Sequence, residues 1–107
     1  MAFLKDKLTF VSLKDITVFE FTESFEDNEF VKVLDIWTID GDGSVEIPLG
    51  KMEDSQAEKL GELLVDLIIA ARNGSTGKST YDIEELVKKA KSMAGASSDE
   101  EVDGKLQ

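Results

Sequence analysis

The chain has 107 residues, with 23 acidic against 12 basic side chains, a formal net charge of −11, no histidine and no cysteine. This length can bury one modest core, so a single domain follows, and 41% hydrophobic residues suffice to build it. Missing cysteine excludes disulfides, thiol nucleophiles and cysteine-based zinc sites; missing histidine removes the commonest general base; and the negative field disfavours duplex nucleic acid and anionic membranes.

Met1-Ala2-Phe3-Leu4-Lys5-Asp6-Lys7 carries charges at once and no long apolar run. That is the pattern of neither a signal peptide nor a membrane span, and the expectation is a cytoplasmic protein. From Leu8 to Leu49 the residues are strand formers broken by short polar clusters. Four strands fit, at about Leu8 to Leu13, Ile16 to Phe25, Glu29 to Ile39 and Ser44 to Leu49. Asp40-Gly41-Asp42-Gly43 predicts a hairpin turn, because glycine tolerates positive φ and aspartate bonds nearby amides, and Glu26-Asp27-Asn28 predicts a second. The third strand is apolar on both faces, with Val31, Val33, Trp37 and Ile39 on one and Leu34 and Ile36 on the other, which predicts a central position. In the fourth, Val45, Ile47 and Leu49 share one face and Pro48 marks an edge or an end.

Ser55-Gln56-Ala57-Glu58 reads as a capping box, after which Ala57, Leu60, Leu63, Leu64, Leu67, Ile68 and Ala71 recur at helical spacing, predicting a helix from Asp54 to Arg72. Its second half is apolar over more than one stripe, and dimerisation is one way to cover the surplus. Asn73-Gly74 stops it, Ser75 to Ser79 forms a polar connector, and a shorter helix is expected from Thr80 to Met93. From Gly95 the composition predicts a disordered acidic tail. The expected architecture is α+β: a four-stranded antiparallel sheet followed by one long and one short helix over residues 1–94, with the tail over 95–107.

Two motif-like segments read better as connections. Gly74-Ser75-Thr76-Gly77-Lys78-Ser79-Thr80 lacks the first glycine of a phosphate loop, Arg72 standing in its place, and follows a helix instead of a strand. Asp40 to Glu46 opens like a calcium loop, but the twelfth position is Lys51 where a bidentate glutamate is needed. Glu20, Glu23, Asp35 and Glu46 are the carboxylates with which an acid–base pair could be built, yet their spacing is equally that of solvated strand residues. No nucleophile motif is present, and the expectation is a protein that is not an enzyme and has neither cofactor nor metal.

The position of the charge is more informative. Between Glu20 and Asp66 acids outnumber bases fourteen to three, so this stretch carries the whole net charge. Glu58, Glu62 and Asp66 follow one another at four-residue intervals, about 6 Å apart along a helix. Such a row opposes local helix stability, but it can imitate duplex phosphates, which repeat about every 3.4 Å, if Glu53, Asp54, Asp40, Asp42, Glu26, Asp27 and Glu29 fill in between. The leading expectation is therefore an acidic binding protein, in its sharpest form a DNA mimic that inhibits a basic nucleic-acid-binding protein in the manner of phage host-takeover factors. Glu58, Glu62, Asp66, Glu53, Asp54, Asp40 and Asp42 would be its partner-binding residues. The bland alternative is a solubilising face.

Phe10-Val11-Ser12-Leu13-Lys14-Asp15-Ile16 and the following Thr17-Val18-Phe19-Glu20-Phe21 resemble the opening strands of the positive-cofactor transcriptional coactivators. The resemblance covers about a third of the chain and implies four strands, then a helix, in a dimer that binds single-stranded DNA. Lys5, Lys7, Lys14, Phe10 and Trp37 would carry that binding, although the surface that is basic in that family is acidic here. An assembly chaperone or structural module, using the apolar half of the long helix, is a third expectation.

Overall fold

The computed structural model describes the backbone of residues 1–41 and 43–106 and the side chains of residues 1–41 and 43–94. Strands β1 (Phe3–Asp6) and β2 (Thr9–Ser12) lead through a 3-10 turn (Leu13–Asp15) into β3 (Ile16–Glu26), β4 (Glu29–Thr38) and β5 (Ser44–Gly50). Helix α1 (Asp54–Arg72), strand β6 (Thr80–Asp82) and helix α2 (Ile83–Leu106) follow. The class is α+β, as expected, but the single four-stranded sheet is replaced by two three-stranded sheets, ordered β2-β1-β6 and β3-β4-β5.

The difference has a physical origin. The expected first strand, Leu8 to Leu13, splits into β2 and the 3-10 turn, and β2 pairs back on β1 instead of forward on β3. Strand β1 also takes β6 in parallel, with Phe3, Leu4 and Lys5 opposite Thr80, Tyr81 and Asp82. Thr80 to Asp82 is therefore strand where helix was expected. Asp82 ends it and starts α2, its Oδ1 accepting the Glu84 N–H at 2.9 Å. The second helix, expected to be short and to end at Met93, runs in the backbone to Leu106, and the side chains from Gly95 onward, where a disordered tail was expected, lie outside the described residues.

The β3–β4 hairpin turns on Asp27 and Asn28, whose φ angles of 51° and 64° are both left-handed, the requirement of a type I′ turn. Strand β4 is central, and its alternation decides the layering. Lys32, Leu34 and Ile36 are buried, while Val31, Val33, Asp35 and Trp37 between them are half-exposed. The buried face meets α1, where Gly61 comes to about van der Waals distance of Phe21 and Phe19, its absent Cβ lying 3.4 Å from the Phe21 ring. Helix α2 packs against α1, β1 and β6. One continuous core results, with Leu4, Val11 and Leu13 from the first layer, Leu34, Ile36 and Ile47 from the second sheet, and Leu60, Leu64, Ile83 and Ala90 from the helices.

Helix α1 has the expected bounds but a different start. Glu53 is the capping residue, its N–H donating to Gln56 Oε1 at 2.9 Å, so the capping frame begins two residues before Ser55. At the other end Gly74 takes φ +69°, and the Gly74 and Ser75 amides close on the Ala71 and Ala70 carbonyls. Arg72 reaches from this last turn to donate to the Ile16 carbonyl at 2.6 Å and the Lys14 carbonyl at 3.2 Å, tying α1 to the start of β3.

Candidate partner-binding site

Helix α1 displays its acids because a different face, with Ala57, Leu60, Leu64 and Ile68, is buried. Glu58, Glu62 and Asp66 are all exposed. Their surroundings differ. Glu58 has no ion-pair partner among the described residues, Glu62 lies 3.7 Å from Lys59 Nζ, and Asp66 lines the groove between the helices beside Lys78 and Lys89. Glu53 occupies the helix cap, and Asp40 is exposed beyond the end of β4. Asp42 lies outside the described residues.

Asp54 has a structural partner. Lys32 is buried on the inner face of β4, and its Nζ donates to Asp54 Oδ1 at 2.6 Å and to Glu23 Oε1 at 2.9 Å. These contacts join the central strand to its neighbour and to the first turn of α1. Bonding to the Asp54 carboxylate, and secondarily to Glu23, raises the Lys32 pKa above its ordinary 10.5 against the opposing effect of desolvation.

Among the described residues, the other side of the β3-β4-β5 sheet carries no buried side chain. Cross-strand register sets Glu20 opposite Asp35 and Asp35 opposite Glu46, so three carboxylates stand side by side across three strands. Neighbouring strands lie about 4.8 Å apart, and like charges directly opposite are destabilising, so the row is maintained against a local cost. Asp35 also accepts from the Thr22 hydroxyl at 3.2 Å. Along β4, Trp37 stands across from Val18, and Val33 and Val31 continue the apolar line on the far side of Asp35. Among the described residues no group of three or more acids is disposed to hold a metal ion.

Of the four carboxylates that sequence spacing allows in an acid–base pair, Glu23 thus points inward to Lys32 while Glu20, Asp35 and Glu46 share the outer face. Their alignment was invisible beforehand because it depends on register between strands distant in sequence. The signal that could have singled out Lys32 is its phase: it lies two residues from Leu34 on the buried side.

For the single-strand reading, Lys5 Nζ sits 5.9 Å from the centroid of the exposed Phe10 ring, and Lys7 and Lys14 are exposed. Trp37 belongs to the other sheet. The segment Gly74 to Thr80 connects α1 to β6, with the Lys78 N–H bonded to the Tyr81 hydroxyl at 3.1 Å, and so lacks the strand-to-helix geometry of a phosphate loop. No described helix is long and apolar enough to cross a membrane. Compared with known proteins, the chain matches no family, no curated protein and no solved structure.

Proposed function

We propose that this protein is a non-enzymatic acidic binding module that docks a basic polypeptide on the outer face of β3-β4-β5. The observation that carries this reading is the row Glu20–Asp35–Glu46 beside Trp37, Val31 and Val33, on a face that the fold leaves open. The net charge of −11 draws a basic partner in from a distance, and the aligned carboxylates pair with its lysines or arginines at contact. Trp37 supplies an aromatic anchor of the kind that dominates interface energetics. A cytoplasmic setting, with a basic nucleic-acid-binding protein as the target, fits the charge and the lack of cysteine.

In the DNA-mimic form of the proposal, Glu58, Glu62 and Asp66 stand in for phosphates instead. Their common exposure along α1 favours it. The two forms separate by substitution. A labelled arginine-rich peptide and a histone serve as basic probes, titrated at low and high salt against the wild type, E20Q/D35N/E46Q and E58Q/E62Q/D66N.

The outer-face reading expects E20Q/D35N/E46Q to weaken binding about tenfold or more, each factor of ten being about 1.4 kcal/mol, while the helix variant binds nearly as before. The reverse pattern selects the mimic. Equal binding by all three proteins, or tight binding of a labelled single-stranded oligonucleotide by the wild type, ends both.

A further inference from the structure

Strand β3 is the longest in the molecule, at 11 residues, and it lies at the edge of its sheet. Among the described residues nothing pairs with its outer side. Such an edge invites another strand unless charge, proline or a bulge blocks it, and from Val18 to Glu26 the register with β4 is unbroken. The two-residue type I′ turn makes Glu26 and Glu29 the closing hydrogen-bonded pair. Counting back from it, the N–H and C=O groups of Phe25, Glu23, Phe21 and Phe19 point away from β4.

Two apolar features lie on this edge, both on the face that α1 covers. At the tip, Phe25 is 60% exposed and packs against Phe30, itself 66% exposed, with ring centroids 4.9 Å apart and planes tilted by 54°. At the base, a groove between β3 and α1 is lined by Ile16, Phe19, Val65, Ile68 and Ile69, with Val65 45% and Ile69 53% exposed. These two helix residues belong to the apolar surplus that the sheet leaves uncovered.

We infer that two copies of this chain pair antiparallel through β3, about a two-fold axis at Thr22, forming a continuous six-stranded sheet in which Phe25 of each copy fills the other's groove. The charges permit this register and the apolar features select it. With Thr22 opposite Thr22, Glu20 faces Ser24, Glu23 faces Phe21 and Glu26 faces Val18, so no acid opposes an acid. Centring on Glu20 or Glu23 would set like charges directly opposite one another, and centring on Phe21 or Ser24, which the charges also allow, would carry Phe25 away from the groove at Phe19. The same register places Phe19 opposite Phe25, which brings the exposed tip to the groove, and lets the outward groups of Phe19, Phe21, Glu23 and Phe25 bond in pairs. Glu23, the acid nearest the axis on the inner face, is already matched by Lys32. The dimer stands independently of the proposed outer-face function, because the Glu20–Asp35–Glu46 row remains open in it.

Sedimentation velocity of the full chain at micromolar concentration should give twice the 11.8 kDa protomer mass, with the dimer fraction rising with salt as repulsion between two copies of charge −11 is screened. Phe25→Lys and Val65→Lys, both at exposed positions, should yield folded monomers, whereas Leu8→Asp, at a 93% exposed position in the β1–β2 turn, should leave the dimer intact. Register is read by cross-linking, since the chain has no cysteine of its own. Thr22 would form a non-hydrogen-bonded pair with its copy, about 4.5 Å between Cα atoms and within disulfide reach. Thr22→Cys should therefore oxidise to a covalent dimer and Ser24→Cys should not. A monomeric wild type overturns the inference, as does a dimer that survives Phe25→Lys or in which Ser24→Cys cross-links as readily as Thr22→Cys.

Discussion

Lys32 ties the sheet to helix α1, because it is, among the described residues, the one buried cation and it meets two carboxylates from different elements. Both acids are partly or largely exposed, so their loss of hydration is small and the pair is a net stabiliser of modest size. Lys32→Met should cost about 1–2 kcal/mol in urea denaturation near neutral pH. The pH dependence has a definite sign: a raised lysine pKa means that the contribution is complete below the ordinary value of 10.5 and fades as pH rises through the higher folded value. Wild-type and K32M stabilities should converge in strongly alkaline solution, and parallel curves there would assign the loss to packing instead. Ser12 offers the opposite case, a buried hydroxyl with no protein hydrogen-bond partner. Ser12→Ala removes that desolvated group and should leave stability unchanged or raise it by up to about 1 kcal/mol, measured by the same denaturation.

The β3–β4 hairpin shows how local sequence can specify an element. Asp27 and Asn28 both adopt left-handed backbone, which costs an L-residue roughly 1 kcal/mol and glycine almost nothing. Asn28→Gly should therefore stabilise the hairpin by about 0.5 kcal/mol, seen as a higher thermal midpoint with an unchanged fold. This turn was legible in the sequence, as were β3, β4, β5 and the bounds of α1, because each depends on residues within a few positions of one another. Strands β1 and β6 were not. Each has only three or four residues with charges among them, Lys5 and Asp6 in one and Asp82 in the other, and β6 is a strand because it pairs with β1, across most of the chain. Asp82 with Glu85 three positions on does carry a helix-start signal, which could have moved the start of α2 from Thr80 to Ile83. For the candidate site, sequence located the charge within the folded body but not the face, since alternation puts Glu20 and Glu23 on opposite sides and only strand register aligns Glu20 with Asp35 and Glu46.

At the scale of the whole molecule, a net charge of −11 opposes compactness throughout. Raising salt from about 0.01 M to about 1 M shortens the screening length from roughly 30 Å to roughly 3 Å. The thermal midpoint should rise by several degrees over that range, about 1 kcal/mol corresponding to roughly 4–8 °C for a domain of this size; a falling midpoint would show that exposed ion pairs such as Lys51–Glu29, at 2.9 Å, outweigh the repulsion. The parallel pairing of β1 with β6 acts on a different axis, that of time. Strand β1 is translated well before β6, so Leu4 meets its parallel neighbour Tyr81 only once Thr80 to Asp82 have been made. The β2-β1-β6 sheet is therefore completed late, while β3, β4 and β5 can close on each other as they emerge. Ribosome-bound chains arrested before Thr80 should be cut by protease within β1 while the β3–β4 hairpin resists, and release of the full chain, which pairs Phe3 to Lys5 with β6, should close that site.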